Sequence, residues 1–184
     1  MLRANMKYVV RRLAASDADL LFEAIQASLT ELHEYLAWCK LDYALADASD
    51  WITYSQRAWL NASEYPLGVF DLACGSMIGA TGISQINKAN RVGNIGYWVR
   101  TSYVGRGVAQ FAAKQAAILG FNELGLTRLE IVTLTHNHAS QRVAEALGAT
   151  RECVAKNRLY FRDAPHDAVV YSLTPNDIQR WHTT

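Results

Sequence analysis

Apolar residues near the start of the chain recur with the period of a helix. Their spacings are four, four, three and four residues, at Leu21, Ile25, Leu29, Leu32 and Leu36. This spacing predicts one helix with a single buried face. Ser16 precedes the run as the expected N-cap, and Asp17 and Asp19 fall in the first turn, where the helix dipole favours acidic residues.

The middle of the chain changes to β-rich patterns. Three such runs lie at residues 67–73, 77–86 and 94–99. They follow a short strand at about residues 7–12 and a second helix from Asp47 to about Asn61. Gly75 and Ser76 separate the first two runs and predict a two-residue, glycine-first hairpin turn. The three runs together predict an antiparallel meander.

The second half alternates helices and strands. A helix is expected after a glycine turn as far as about Gly120, followed by a strand at residues 128–134. A helix ending near Gly148 comes next, and two final β runs close the chain. The predicted order is β-α-α-β-β-β-α-β-α-β-β. This order indicates an α/β (α+β) fold with one mixed, mostly antiparallel sheet of about seven strands and four helices.

Composition limits the classes of function. With 184 residues, of which 51% are hydrophobic, the chain is expected to form a single domain over residues 1–184. The net charge of +1, with scattered basic residues, argues against a nucleic-acid partner. The N-terminus carries charges where a signal peptide needs apolar residues, and no run approaches the ~18 apolar residues of a membrane span. A cytoplasmic protein without a membrane partner is expected.

The three cysteines are far apart and odd in number, at Cys39, Cys74 and Cys153. This spacing argues against a disulfide framework and against a thiolate metal site. Buried free thiols are the expectation. His136 and His138 form a His-x-His pair with no third ligand nearby, so no metal site is predicted.

A glycine turn lies between the run at 94–99 and the next helix. It reads Val104, Gly105, Arg106, Gly107, Val108, Ala109. Such a turn presents unpaired backbone N–H groups and the positive end of a helix dipole, and these favour a phosphate. The nucleoside-triphosphate P-loop is excluded because no Lys-Ser or Lys-Thr follows the glycines. The dinucleotide fingerprint is disfavoured because Gln110 stands at its third glycine.

The same turn resembles the pyrophosphate-binding turn of the GNAT superfamily of N-acetyltransferases, Gln/Arg-x-x-Gly-x-Gly/Ala, with Val104 at the first position. Residues 137–149 resemble the family's Asn-x-x-Ser-x-x-Val-Ala-x-x-Leu-Gly-Phe segment, and residues 94–99 resemble the Glu-Ile-Gly-Tyr-Trp-Leu strand of its RimJ/RimL-like branch, which acetylates the N-termini of ribosomal proteins. The likeness covers about residues 8–174. It implies a GNAT-like fold and acetyl-CoA as co-substrate.

The resemblance also implies roles for individual residues. Trp98, Val99 and Arg100 would bind the pantetheine arm of coenzyme A through their main chain, as an added strand does. Asn137 would bind the same arm, and Ser140 would donate a proton to the leaving thiolate. Each residue also has a plain structural interpretation: Trp98 as core, Asn137 as an N-cap, and Ser140 as a first-turn residue.

The general base is the weak point of this chemistry. Asn94 stands where many relatives have a carboxylate, and an amide accepts no proton at neutral pH. By motif position, Glu130 is the nearest candidate for the base. It could equally be an ordinary strand residue whose side chain faces outward. A histidine of the 136–138 pair acting through a water is the other alternative.

Three hypotheses for the acceptor stay open. A protein or peptide α-amine needs less help from a base, because it ionises near ~7.7–8.0 against ~10.4 for lysine. A small amine such as an aminoglycoside or polyamine would need an acidic pocket, for which the chain offers Asp42, Asp47, Asp50 and Glu64. A catalytically silent acyl-CoA-binding module is the third. A homodimer through exposed edges of the last strands is also left open.

Overall fold

The computed structural model describes residues 7–179 and Trp181, and its strands form one seven-stranded sheet in the order β1-β2-β3-β4-β5-β7-β6. The strands are β1 Tyr8–Arg11, β2 Tyr65–Asp71, β3 Met77–Asn87, β4 Val92–Val99, β5 Arg128–Leu134, β6 Thr150–Phe161 and β7 Ala164–Leu173. Of the described strand pairs, β4 with β5 is parallel and the others are antiparallel. The predicted fold class is confirmed.

Six α-helices accompany this sheet in the described residues, two more than predicted. They are α1 Ala18–Gln26, α2 Leu29–Tyr35, α3 Leu45–Leu60, α4 Val108–Ile118, α5 His138–Ala146 and α6 Pro175–Gln179. The predicted first helix is broken at Ser28, whose buried hydroxyl accepts a hydrogen bond from the Thr101 N–H at 2.9 Å. This long-range bond holds Ser28 at φ −139°, outside the helical region.

Two local predictions in this half of the chain were wrong. Ser16 does not cap the first helix, because the carboxylate of Asp17 accepts the Ala14 N–H at 2.7 Å in a 3₁₀ turn over Ala15–Asp17. The turn after β2 is five residues long rather than two. Its base is closed by the bond from Asp71 N–H to the Ser76 carbonyl at 3.0 Å.

The sheet separates two hydrophobic clusters. The α4 face of the sheet carries α4 and α5, and Ile95, Tyr97 and Leu129 pack there. The opposite face, called the α1/α3 face, carries α1 and α3, and Trp98 packs there. Because side chains alternate along a strand, Asn94 lies on the α1/α3 face with Trp98.

The thiols differ from the prediction. Cys39 is buried, but Cys74 and Cys153 are exposed. Cys74 lies in the loop after β2, and Cys153 lies on β6, an edge strand that leaves most of its side chains exposed. None of the described helices is long and apolar enough to cross a bilayer.

Candidate active site

The centre of the sheet opens between β4 and β5. The two strands pair only from Val92 to Asn94, against Arg128 to Glu130, and then diverge, while β4 stays paired with β3 as far as Val99. The main-chain groups of β4 that face the opening therefore lack a ladder partner among the described strands. Such an edge can bond an extended ligand as if it were another strand.

The register identifies which residues face the opening. The Arg100 N–H donates to the Ile78 carbonyl at 2.9 Å, and antiparallel strands bond through every second residue. The main-chain groups of Trp98 therefore face β3, and those of Tyr97 and Val99 face the opening. The carbonyl of Arg100 also accepts the Tyr103 N–H at 2.8 Å. Of the residues expected to bind through their main chain, Val99 faces the opening together with Tyr97, whereas β3 and the turn occupy the main-chain groups of Trp98 and Arg100.

The side chains of Trp98 and Arg100 serve the α1/α3 face instead. The Trp98 ring lies 6.4 Å from that of Trp38. The Arg100 guanidinium pairs with Glu23 at 3.1 Å, while its Nε is buried without a partner among the described residues. Trp98 thus combines core packing with a place beside the opening.

The glycine turn stands at the end of the opening, where β4 leads into α4. Gly105 and Gly107 have φ of +78° and +76°, which L side chains rarely adopt. The first bond of α4 runs from Phe111 N–H to the Gly107 carbonyl at 2.9 Å. In the described part of the chain, the N–H groups of Gly105, Gly107, Val108 and Ala109 donate to no backbone acceptor. The predicted anion site would consist of these amides.

The side chains of the turn leave the amides open. A Cβ added at Gly105 or Gly107 would meet no atom within 4 Å. Val104 is 65% exposed, and buried Val108 anchors the start of α4. The guanidinium of Arg106 lies over the Tyr103 ring, 4.9 Å from its centroid, at the exposed rim. The geometry suits a diphosphate bound by main-chain N–H groups with one cation beside it.

Asn137 and Ser140 lie at the start of α5, next to the opening. The Asn137 Oδ1 accepts the Ser140 N–H at 3.0 Å, so Asn137 caps the helix. The Ser140 Oγ lies 3.0 Å from the hydroxyl oxygen of Tyr97. Tyr97 was not among the predicted site residues. Strand alternation within residues 94–99 could have placed it opposite Trp98, but no local signal predicted its partner on α5.

Burial raises the pKa of Tyr97 to about 12. The phenol therefore stays protonated at neutral pH and can donate one hydrogen bond. Its hydroxyl lies 3.1 Å from the Ser140 carbonyl oxygen, which can accept that bond. Ser140 and Tyr97 form a pair of hydroxyls that can hold or pass a proton on the α4 face.

Ser140 and Glu130, the residues expected to act as acid and base, lie on opposite faces of the sheet. Leu129 and Ile131 pack on the α4 face, so Glu130 between them lies on the α1/α3 face. Its Oε1 accepts from Arg128 at 3.0 Å, and its Oε2 lies 3.5 Å from the Arg158 guanidinium. A proton taken up by Glu130 would disrupt both ion pairs. Asn94 is the register partner of Glu130.

Asn94 marks the closed end of the opening. Its Oδ1 is buried and has no hydrogen-bond donor among the described residues. Buried acceptors are nearly always paired, so this oxygen suits a donor brought by a ligand or a water. His136 and His138 are exposed, and the described residues contain no group of three or more side chains able to hold a metal.

A cavity of about 570 Å³ lies on the α1/α3 face, beside β4. Its floor includes Gly96, Tyr97 and Trp98 of the strand that borders the opening. Aromatic side chains from the helical layer form much of its wall, among them Trp38 and Trp51. A molecule in this cavity would therefore approach the opening from the side opposite Ser140.

The chain matches the family model described as Acetyltransferase (GNAT) domain over residues 7–150. It belongs to this family. The GNAT chain is 30% identical over 176 residues to the Bacillus subtilis protein named "Putative ribosomal N-acetyltransferase YdaF", covering 93% of each chain. A solved Vibrio cholerae structure described as "a putative ribosomal-protein-serine acetyltransferase" shares 29% identity and a TM-score of 0.83, covering 95% of this chain and 98% of that chain.

A solved RimL alpha-N-protein acetyltransferase in complex with coenzyme A has the same fold, with a TM-score of 0.84 at 20% identity, over 94% of this GNAT chain and 97% of that one. The predicted family, its RimJ/RimL-like branch and the acetyl-CoA co-substrate are confirmed. The protein is an acetyl-CoA-dependent N-acetyltransferase. Its unpaired turn amides and unpaired strand edge fit the diphosphate and the extended arm of this co-substrate.

Proposed function

We propose that this enzyme transfers the acetyl group of acetyl-CoA directly to the α-amine of a protein or peptide N-terminus. The carrying observation is that no free carboxylate of the described residues lies where the strands close: Asn94 stands there, and both oxygens of Glu130 are engaged by arginines. The names of the similar Bacillus and Vibrio proteins support a ribosomal-protein acceptor. A cytoplasmic location agrees with such an acceptor.

The acceptor's own acidity replaces a strong base in this proposal. Forming the neutral amine at a given pH costs about 3.5 kcal/mol less for an α-amine than for a lysine side chain, because their pKa values differ by about 2.5. A site without a dedicated base therefore favours the α-amine. The Asn94 Oδ1 is available to accept a hydrogen bond from that amine or from a water that takes its proton.

The residues divide the reaction between the two faces of the sheet. The amides of Gly105, Gly107, Val108 and Ala109 hold the diphosphate, and the main chain of Tyr97 and Val99 binds the arm. The amine nitrogen attacks the thioester carbonyl from the cavity side, forming the C–N bond. The C–S bond breaks and Ser140 donates its proton to the thiolate, then regains a proton from solvent, while the nitrogen releases one proton to solvent.

A matched pair of peptides tests this function. One peptide has a free N-terminus and no lysine, and the other has a blocked N-terminus and one internal lysine. We expect acetylation of the first, measured by thiol release and located by mass spectrometry, and little reaction of the second. Preferred acetylation of the lysine would contradict the proposal, and tight coenzyme A binding without turnover of any amine would indicate the silent module.

A small polycationic amine is the second candidate acceptor. The cavity favours it because Asp47, Asp50 and Glu64 line it beside the aromatic side chains. Asp42, the fourth carboxylate considered for such a pocket, is not part of the lining. A polyamine in place of the peptide in the same assay distinguishes this candidate.

A further inference from the structure

One face of α3 is directed to the cavity instead of the core. It carries Asp47, Asp50, Trp51 and Tyr54, at the spacings i, i+3, i+4 and i+7 that define a single helical face. The neighbouring face packs into the core through small and apolar residues, namely Ala48, Ile52, Ser55 and Ala58. The cavity face of α3 is thus a second patterned surface that the packing of the protein does not cover.

The aromatic residues of this surface are unusually open. Trp51 and Tyr54 are 40% and 45% exposed, and their rings stack with centroids 5.3 Å apart. Trp38, which also lines the cavity, is 43% exposed and lies beside Trp98. Several exposed aromatic rings in the lining of one cavity attract a flat apolar group or a cation.

The charge of the cavity lining favours a cation over a flat apolar group. The lining contains three carboxylates and no lysine, arginine or histidine. Two of the carboxylates already have partners: Asp47 pairs with Lys40 at 3.1 Å, and Glu64 accepts the Tyr54 hydroxyl at 2.9 Å. The exposed carboxylate of Asp50 has no hydrogen bond or ion pair with any described residue. A cation among these aromatic rings would give the exposed carboxylate of Asp50 a counter-ion.

We infer that the acceptor carries a second positive charge besides the amine that is acetylated, and that this charge binds in the cavity between Trp38, Trp51 and Tyr54 with Asp50 as its counter-ion. The inference rests on the proposed function for the identity of the reacting amine. A peptide with lysine or arginine close to its N-terminus and a small diamine share this chemistry. An acceptor with acidic groups near its amine is disfavoured by repulsion from the lining.

The test compares acceptors that differ by one charge. Three peptides are identical except at the second residue, which is lysine, norleucine or glutamate, and the lysine in the first is Nε-trimethylated so that only the α-amine reacts. A second arm compares 1,5-diaminopentane with 1-aminopentane. We expect kcat/KM to be about tenfold higher for the trimethyllysine peptide than for the norleucine peptide, and lowest for the glutamate peptide. If the small amines react, we expect the same preference for 1,5-diaminopentane over 1-aminopentane.

Variants identify the residue responsible. Asp50→Asn should reduce the ratio of charged to uncharged acceptor toward one. The control Asp42→Asn, at an exposed position outside the cavity lining, should retain the ratio. Higher salt should shrink the preference, because the proposed pair is partly solvated.

The outcomes separate this inference from the proposed function. Reaction of diamines but not of peptides, with the charge preference intact, would remove the α-amine proposal and keep the inference. Equal kcat/KM for charged and uncharged acceptors in the unmodified enzyme would overturn the inference. If no acceptor turns over, the same pairs are compared by calorimetric binding with coenzyme A present, and equal binding constants would overturn it too.

Discussion

The hydroxyl of Tyr97 lies 3.0 Å from the hydroxyl of Ser140 and 3.1 Å from its carbonyl oxygen. This contact joins the strand that borders the opening to the first turn of α5. It places the proposed proton donor against a phenol whose pKa of about 12 keeps it neutral. The side-chain oxygen of Ser140 therefore has a fixed neighbour on the α4 face.

Removing the Ser140 hydroxyl should slow the chemical step. For Ser140→Ala, we expect kcat to fall about 100-fold, the lower end of the range for loss of a general acid, with coenzyme A affinity almost unchanged. Asn137 caps α5 through the Ser140 N–H, so the substitution keeps the cap. Steady-state kinetics together with calorimetry measures both quantities. An unchanged kcat would remove Ser140 from the mechanism.

Tyr97→Phe should have a smaller effect of the same kind. The loss of one hydrogen bond to Ser140 is worth about 1–1.5 kcal/mol, which corresponds to a roughly tenfold lower kcat. Tyr171→Phe is the matched control. The Tyr171 hydroxyl also donates a hydrogen bond to α5, to the Glu145 carboxylate at 3.1 Å, but it does not contact Ser140. Equal losses in kcat for the two variants would indicate a general packing effect.

Alanine at Gly107 should weaken coenzyme A binding. The residue has φ of +76°, and an alanine there adds about 1–2 kcal/mol of strain and places a methyl group in open space next to its own N–H, one of the amides proposed to hold the diphosphate. We expect the dissociation constant, measured by calorimetry, to rise by about tenfold or more. Gly148→Ala is the control, with φ of +77° and equally open space at the far end of α5. It should lose similar stability and retain affinity.

The buried carboxylate of Asp17 should matter more for stability than the half-buried carboxylate of Asp47. Both accept the N–H three residues earlier, from Ala14 and Ala44, and both pair with a cation. The side chain of Asp17 is 5% exposed, against 31% for Asp47. We expect Asp17→Asn to cost about 3 kcal/mol in denaturant unfolding, and Asp47→Asn to cost clearly less. Equal costs would contradict the role of burial.

Acid should weaken the fold through Glu152. Hydrogen bonds from Arg128 and Ser172 lower the pKa of this carboxyl from 4.5 to about 2. The stabilisation is present above pH 4.5 and is lost as the pH falls toward 2, because the unfolded chain takes up the proton first. Solvent screening reduces it to the order of 1 kcal/mol, since the side chain is 36% exposed.

Glu152→Gln should remove that part of the acid dependence, measured as the free energy of unfolding between pH 5 and pH 2. The exposed Glu31 on α2 provides the control Glu31→Gln, which should leave the dependence unchanged. An identical acid profile for Glu152→Gln and the unmodified protein would exclude the Arg128 pair as its source.

Local patterns determined much of this protein. Apolar spacing placed the helices and strands, and the two glycines predicted the tight turn before α4, because glycine tolerates the positive φ that this turn requires. The same patterns predicted α3 within two residues of its bounds and placed Gly148 after α5. Family likeness then supplied the acetyl-CoA chemistry.

The tertiary structure alone decided the contacts between distant segments. The hydrogen bond from Thr101 to Ser28 breaks a helix that the apolar spacing predicted to be continuous. The ion pair with Arg158 engages the carboxylate of Glu130, the residue expected to act as the base. The contact of Tyr97 with Ser140 and the carboxylate-lined cavity also arise between elements far apart in the chain. Periodicity reports which face of an element is buried but not which side chain it meets, so these features required the fold.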